Sequence, residues 1–144
     1  MKQPGRNRLR IAAGILCAVL LCLALWAFVI EPNSLVINEK TIELTHWPAG
    51  LDGLRIAAIS DIHAGSPFID ADKLRLLVKR TNETKPDVIV LLGDYMVRES
   101  WHSTEMEPGA IAEALKELQA PLGVYAVLGN HDWWYDLTRV RAAL

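Results

Sequence analysis

The first distinct pattern of apolar and polar residues is a long apolar stretch near the N-terminus. Residues 11–30 form a run of 20 residues without a charged side chain. A helix of that length rises about 30 Å, which matches the hydrocarbon thickness of a bilayer. Four basic residues and no acidic residue precede the run, and basic residues favour the cytoplasmic side. We therefore predict a basic cytoplasmic tail over residues 1–10 and an uncleaved transmembrane anchor over residues 11–30.

Two other interpretations of the apolar stretch remain open. The apolar region of a cleaved signal peptide normally has about 7–15 residues and ends at a small-x-small site. Here the run is longer, and its end, from Ala24 to Phe28, has no clean site of that kind. The alternative of a buried core helix would require a long helix without a polar face, which is rare. Length therefore favours the anchor over both alternatives.

Beyond the anchor, short apolar runs alternate with segments of helical periodicity. Residues 31–53 are predicted to be a linker with a first strand over residues 35–44. Three later apolar runs are predicted to be buried strands, over residues 54–59, 87–92 and 124–128. One helix is predicted from a cap at Asp70 to about Asn82, and another from a cap at Asp136 to Leu144. A further helix is predicted to begin at Glu107. Its inward face would carry Ile111, Ala114, Leu115 and Leu118. This alternation is typical of a parallel α/β sheet, so residues 54–144 are predicted to form an α/β domain.

Composition and charge narrow the functions that this domain could have. The 144 residues suffice for about one domain, and the 51% that are hydrophobic exclude a disordered chain. Both cysteines, Cys17 and Cys22, lie in the predicted anchor, so the rest of the sequence offers neither a disulfide nor a thiolate metal site. Residues 31–144 carry a net charge of −6, which argues against a nucleic-acid partner and is compatible with a cation site.

Each predicted buried strand is followed directly by residues of the kind that bind divalent cations. Asp61 and His63 follow the first strand, Asp94 the second, and Asn130 and His131 the third. Because the carboxyl ends of parallel strands meet at one edge of a sheet, these side chains are expected to converge. Carboxylate, amide and imidazole ligands suit Mn, Fe or Zn. Each residue alone is typical of a turn or a cap, but turn preference does not explain three such strand ends together.

The same residues form three ordered blocks, Asp61-x-His63, Gly93-Asp94 and Gly129-Asn130-His131-Asp132. Over about residues 54–135 these blocks resemble the D-x-H, G-D and G-N-H-[DE] pattern of the calcineurin-like metallophosphoesterase family. The Trp133-Trp134 pair also resembles the bacterial, membrane-anchored branch of that family. The resemblance implies the front half of an αββα sandwich. It further implies hydrolysis of phosphomonoesters or phosphodiesters by a hydroxide that bridges two divalent metal ions.

The resemblance implies a role for each residue of the three blocks. Asp61 and His63 would hold the first ion, and Asp94 would bridge the two ions. Asn130 would bind the second ion. His131 would be catalytic, either by stabilising the charge that develops or by protonating the leaving group.

Three further positions bear on the resemblance. Asp132 could orient His131, or it could serve only as a carboxylate at the start of a helix. Arg98 could bind the phosphate of the substrate, and the alternative is a solvated loop arginine. Val97 stands where the protein-phosphatase branch carries an aspartate, which disfavours a phosphoprotein substrate.

The histidines limit the resemblance. The family needs further ligands from a later histidine and from a Gly-His-x-His motif, and no histidine follows His131. The chain is therefore predicted to be truncated before its last histidine ligands. A catalytically inactive, membrane-anchored binding module and a non-functional fragment remain alternatives to the phosphoesterase.

An anchored enzyme of this family would meet its substrate near a membrane. We predict a phosphoester substrate, with a lipid-linked one favoured by the anchor. The basic N-terminal residues predict a single-pass protein of the bacterial inner membrane, with a cytoplasmic N-terminus and an extracytoplasmic domain.

Overall fold

The computed structural model of the protein describes residues 4–97, 103–104 and 106–144. Within it the chain forms two compact units that divide between Glu39 and Lys40. Arg98, the predicted contact for the substrate phosphate, lies outside the described residues.

The N-terminal unit is built on one long apolar helix. Helix α1 spans Pro4–Leu25 and continues through a π-helical segment, Trp26–Ile30, and a last turn, Glu31–Asn33. From Arg6 to Asn33 this helix has 28 residues and is long and apolar enough to cross a membrane. The predicted apolar helix is confirmed, although it begins within the segment that was predicted to be a tail. The domain boundaries at residues 10, 30 and 53 stay predictions.

The predicted first strand over residues 35–44 is wrong. These residues are extended, but no strand of the described chain pairs with them. Most of their apolar side chains are exposed, including Val36 and Ile42. A strand needs a neighbour to satisfy its backbone groups, and alternation of residue types alone does not supply one.

The second unit contains a parallel sheet, as the sequence predicts. Strands β1 (Ile56–Ile59), β2 (Val88–Leu91) and β3 (Val124–Ala126) are adjacent in chain order, with β2 in the centre. Both pairs are parallel, with Ile59 beside Leu91 and Leu91 beside Ala126. The carboxyl ends of all three strands therefore lie along one edge of the sheet.

Three helices follow the three strands: α2 (Ala71–Glu83), α3 (Pro108–Leu115) and α4 (Asn130–Ala143). The Asp70 carboxylate accepts the Lys73 N–H at 2.8 Å and caps α2 as predicted. Proline is the first residue of α3, at a position where the N–H that proline lacks would have no partner within the helix.

Helix α4 contains one irregular residue. Asp136 has a non-helical backbone, and its carboxylate accepts the Arg139 N–H at 3.0 Å. The predicted cap at Asp136 is thus confirmed, but an additional helical segment precedes it from Asn130.

The core of the second unit lies between the sheet and its helices. Leu74 and Val78 from α2 and Ile111 from α3 pack with Ile89 and Leu91 of β2. Strand residues alternate between the two faces of a sheet. The face opposite to Ile89 carries Ile56 and Tyr125, which are 56% and 60% exposed. The described helices therefore cover one face of the sheet, and in the described part of the chain the other face is apolar and open.

Candidate metal centre

The loops that leave β1 and β2 run side by side beyond the ends of the strands. The N–H of Asp61 donates to the Gly93 carbonyl at 3.2 Å, and the N–H of His63 donates to the Asp94 carbonyl at 2.9 Å. These bonds continue the pairing of the two strands into the loops. As a result, the backbone at Asp61 and His63 is held beside that at Gly93 and Asp94.

Three of the predicted site residues come together in a cluster. His63, Asp94 and His131 each offer one ligand atom, and these atoms lie within 4.8 Å of one another. Asp61 borders the cluster, with Oδ1 3.8 Å from His63 Nε2 and its side chain 65% exposed. Asn130 is the exposed first residue of α4. The expected convergence of residues from three strand ends is confirmed for this cluster, and the individual ligand assignments stay predictions.

His63 is oriented by a bond to the main chain. Its Nδ1 lies 3.0 Å from the Met96 carbonyl oxygen. A carbonyl only accepts, so this contact places the proton on Nδ1 and leaves the lone pair on Nε2, which is the nitrogen near Asp61. Fixing the tautomer through the second ring nitrogen is how proteins usually prepare a histidine to bind a metal.

His131 lies between His63 and the exposed Trp134. Its ring centre is 4.5 Å from that of His63, in an edge-on arrangement, and 4.9 Å from that of Trp134. Its Nδ1 is buried and has no hydrogen-bond partner among the described residues. Trp133 and Trp134 are 63% and 65% exposed. A buried polar atom without a partner is rare in a folded protein, and this nitrogen is available to bond a group that the protein does not itself supply.

The backbone is strained where the ligand-type residues stand. Asp61, His63 and Asp94 have φ angles of 53°, 43° and 57°, in the left-handed region that non-glycine residues seldom adopt. Aspartate tolerates this region better than most residues, and histidine is also enriched there. Strained residues of this sort tend to occur at functional sites.

Two glycines allow the loops after β2 and β3 to approach closely. A Cβ on Gly93, where φ is 92°, would overlap the backbone nitrogen of Gly129 and would stand 2.8 Å from its Cα. A Cβ on Gly129 would stand 2.6 Å from the Asp94 Cγ. The sequence reasoning treated these glycines as part of a motif and missed the contact. Their positions beside Asp94 and Asn130 were the signal that could have indicated it.

The Asp132 carboxylate is fully buried and bonded to the main chain. It accepts the N–H of Asp94 at 2.9 Å, of Tyr95 at 2.9 Å, of Met96 at 3.1 Å and of Gly129 at 2.8 Å. The Gly129 bond is the one expected of a carboxylate in the first turn of a helix. Three additional bonds go to the loop after β2. The role of Asp132 in orienting His131 stays a prediction.

Two further contacts complete the centre. The Asp94 Oδ1 accepts the N–H of His131 at 2.9 Å, which fixes the rotation of the carboxylate. The buried Tyr95 hydroxyl donates to the Val127 carbonyl at 3.0 Å, with Leu91 O at 3.3 Å. Burial, reinforced by the negative charge of Asp132, raises the pKa of Tyr95 to about 12. Tyr95 was missed by the sequence reasoning, because a single tyrosine after a strand carries no distinctive pattern.

The parallel α/β domain gathers carboxylate and imidazole groups at the ends of its strands, and these are donors that divalent cations accept. The sequence profile of calcineurin-like phosphoesterases matches residues 54–143, and the chain belongs to that family. The predicted family and the predicted α/β fold are thereby confirmed.

Several relatives from different organisms resemble the chain. It is 34% identical over 107 residues to the uncharacterized metallophosphoesterase YkuE of Bacillus subtilis, covering 74% of this chain and 36% of YkuE. It is 36% identical over 108 residues to the UDP-2,3-diacylglucosamine pyrophosphatase LpxG of Chlamydia trachomatis, covering 75% of this chain and 31% of LpxG. A transmembrane protein with metallophosphoesterase domain from Danio rerio is 33% identical over 140 residues, covering 92% of this chain and 30% of that protein. The chain thus spans about a third of the length of these relatives. No solved structure gives a significant match.

Proposed function

We propose that the domain hydrolyses phosphoesters with the help of two divalent ions, Mn, Fe or Zn, at the carboxyl edge of the sheet. The observation that carries this proposal is the convergence of ligand atoms from His63, Asp94 and His131 within 4.8 Å. Bound divalent ions would polarise the phosphoryl oxygens and lower the pKa of a water molecule at the site.

The donor set fits such ions. Asp61, His63, Asp94 and Asn130 are the proposed ligands, and they supply the oxygen and imidazole donors that these metals accept. The bond from His63 Nδ1 to Met96 leaves Nε2 available as a ligand atom. The His131 N–H holds the Asp94 carboxylate in one orientation, and a carboxylate with one such bond keeps further acceptor capacity.

His131 is the proposed catalytic residue. Its ring adjoins that of His63, and its unpartnered, buried Nδ1 supports a role in which this side chain bonds to a group absent from the protein itself. In the protonated form the imidazole would donate a hydrogen bond to a phosphoryl oxygen or pass its proton to the departing alkoxide. Asp132 is proposed to orient His131. Arg98 is the proposed contact for the substrate phosphate.

Hydrolysis is tested directly on the full chain in detergent, with bis(p-nitrophenyl) phosphate as the probe and added Mn²⁺. Asp94→Asn is expected to lower the metal-dependent rate by at least about 100-fold, because it removes the ligand proposed to bridge both ions. Asp72→Asn is the matched control, since Asp72 is exposed in α2 and pairs only with Arg75 among described residues. An unchanged rate in Asp94→Asn would refute the site, and tight binding of a partner with no hydrolysis and no bound metal would support the binding-module alternative.

The proposed substrate is a lipid-linked phosphoester. LpxG is named for a pyrophosphatase activity on a diacylated sugar nucleotide, and α1 is apolar enough to hold this chain at a membrane. The exposed indole of Trp134 beside His131 gives an apolar contact next to the proposed reacting group. Trp134→Ala is expected to raise KM about tenfold for a diacylated phosphodiester and little for bis(p-nitrophenyl) phosphate. Trp47→Ala, in the segment before β1, is the control, and equal effects on both substrates would contradict the proposal.

The proposed location is the bacterial inner membrane, with α1 as a single span. The basic residues Arg6, Arg8 and Arg10 favour a cytoplasmic N-terminus and an extracytoplasmic domain. A reporter that is active only outside the cytoplasm, fused after Leu144, is expected to be active. An inactive reporter fusion that is produced at normal levels would show the opposite orientation, with the domain in the cytoplasm.

A further inference from the structure

The bonds of Asp132 fall into two groups with different consequences. The bond from the Gly129 N–H closes the start of α4 and would be sufficient for a helix-start carboxylate. The other three come from consecutive N–H groups of Asp94, Tyr95 and Met96, which lie 36–38 positions earlier in the chain. A helix start has no need of these three bonds, so the Asp132 side chain joins two separate strand ends.

The segment held by Asp132 in turn holds His63. Its N–H groups face the Asp132 carboxylate, and its carbonyl groups face the loop after β1. The Asp94 carbonyl accepts the His63 N–H, and the Met96 carbonyl accepts from His63 Nδ1. Met96 therefore links the two side chains, with its N–H bonded to Asp132 and its carbonyl bonded to His63.

The bonds use both oxygens of the side chain, so a side chain of the same shape with one acceptor oxygen does not replace it. Asp132 Oδ2 accepts from the N–H groups of Asp94 and Gly129, and Oδ1 accepts from those of Tyr95 and Met96. An amide has only one acceptor oxygen. In Asp132→Asn, the NH₂ group would face two N–H donors whichever way the amide turned, and one pair of buried bonds would be lost.

We propose that Asp132 is a positioning residue of the metal centre, which sets the placement of Asp94 and the tautomer of His63 through the main chain of residues 94–96. This inference rests on the proposed function, because it concerns the geometry of the proposed ligands. Asp132 touches neither the substrate nor the ions in this role. Its effect reaches the ions through the Met96 carbonyl and through the backbone of Asp94.

The first test measures Mn²⁺ affinity by calorimetry on the full chain in detergent after treatment with a chelator. Asp132→Asn is expected to bind Mn²⁺ about 10–100-fold more weakly than the wild type. Asp136→Asn is the matched control, since it makes the same chemical change in the same helix at a cap that asparagine also serves. A purely structural role would lower the melting temperature of the metal-free protein and leave the Mn²⁺ affinity of the folded fraction unchanged, which would overturn the inference.

A second measurement covers the case in which Asp132→Asn does not fold. Nitrogen NMR on the metal-free wild type, with the His63 signals assigned by His63→Gln, reports which ring nitrogen carries the proton. Protonation of Nδ1 is expected and would support the inference, whereas a neutral ring protonated on Nε2 would overturn it. A wild type that binds no Mn²⁺ would refute the proposed function and this inference with it. A wild type that binds Mn²⁺ as tightly as Asp132→Asn does would refute this inference alone.

Discussion

Gly93 and Gly129 touch backbone to backbone, and this contact joins the ends of β2 and β3. There is no room at Gly93 for a Cβ, which would stand 2.8 Å from the Gly129 Cα. The contact brings Asp94 within reach of the His131 N–H, which its carboxylate accepts at 2.9 Å. The two glycines of the sequence motif therefore determine how closely the second and third strands can present their side chains.

Gly93→Ala is expected to destabilise the fold by about 2–4 kcal/mol, because the new methyl group meets main chain and the φ angle of 92° is strained for alanine. Gly109→Ala is the matched control. A Cβ on Gly109 meets nothing within 4 Å, and alanine is the better helix former, so this variant should be slightly more stable. Denaturant unfolding of both variants measures the difference in their unfolding free energies. Equal stability of the two would contradict the close approach of Gly93 to Gly129.

Asp61→Gly is expected to separate stability from metal binding. Glycine adopts the φ angle of 53° without strain, so the unfolding free energy should stay within about 1 kcal/mol of the wild type while Mn²⁺ affinity falls. Asp61→Ala should lose affinity and also about 1–2 kcal/mol of stability. The helical control Asp72→Gly should lose about 1 kcal/mol and no affinity. Chemical unfolding measures the stability and calorimetry measures the Mn²⁺ affinity. An Asp61→Gly variant less stable than Asp61→Ala would contradict the inference that the backbone at Asp61 is strained.

Tyr95→Phe is expected to destabilise the domain by about 1–2 kcal/mol, since the carbonyl of Val127 loses a buried donor. The pKa of Tyr95 is raised to about 12, above its ordinary value of 10.0. The stability that comes from the neutral phenol is therefore fully present below pH 10 and is lost as the pH rises toward 12. Melting curves in chelator between pH 8 and pH 12 should show a smaller alkaline loss in Tyr95→Phe. Tyr125→Phe, on an exposed ring, should behave as the wild type does.

His131→Gln distinguishes a catalytic role from a ligand role. If His131 handles a proton, the variant should lose about 100-fold or more in rate and should keep the Mn²⁺ affinity of the wild type. The position of His131 among the ligand-type atoms makes the opposite outcome informative. A parallel loss of affinity would assign His131 to the metal and would leave the proton-donating group to be found elsewhere. His46→Gln, at a histidine outside the cluster, is the control for both measurements.

The sheet and its helices were predictable because their signals are local. The apolar runs at β1, β2 and β3 and the caps at Asp70 and Asp136 each involve residues adjacent in sequence. The convergence of Asp94 with His63 and His131 was also predictable, since it follows from the parallel order of the strands.

Other features depend on contacts between distant residues and were missed for that reason. The predicted strand over residues 35–44 had the pattern of a strand but no neighbour. The bonds of Asp132 to residues 94–96 and the contact of Gly93 with Gly129 arise only when two loops meet. A sequence records the residue types at such a contact but not the approach of the two backbones.

In the described part of the chain, the open face of the sheet is a second exposed apolar surface in addition to α1. Ile56, Tyr125 and Val127 are all more than half exposed there. Apolar patches on soluble domains favour association. A detergent that surrounds α1 will also adsorb to this face, and at low detergent the faces of two molecules can meet. The melting temperature will consequently shift with protein and detergent concentration, as for any folding equilibrium linked to the binding of another molecule.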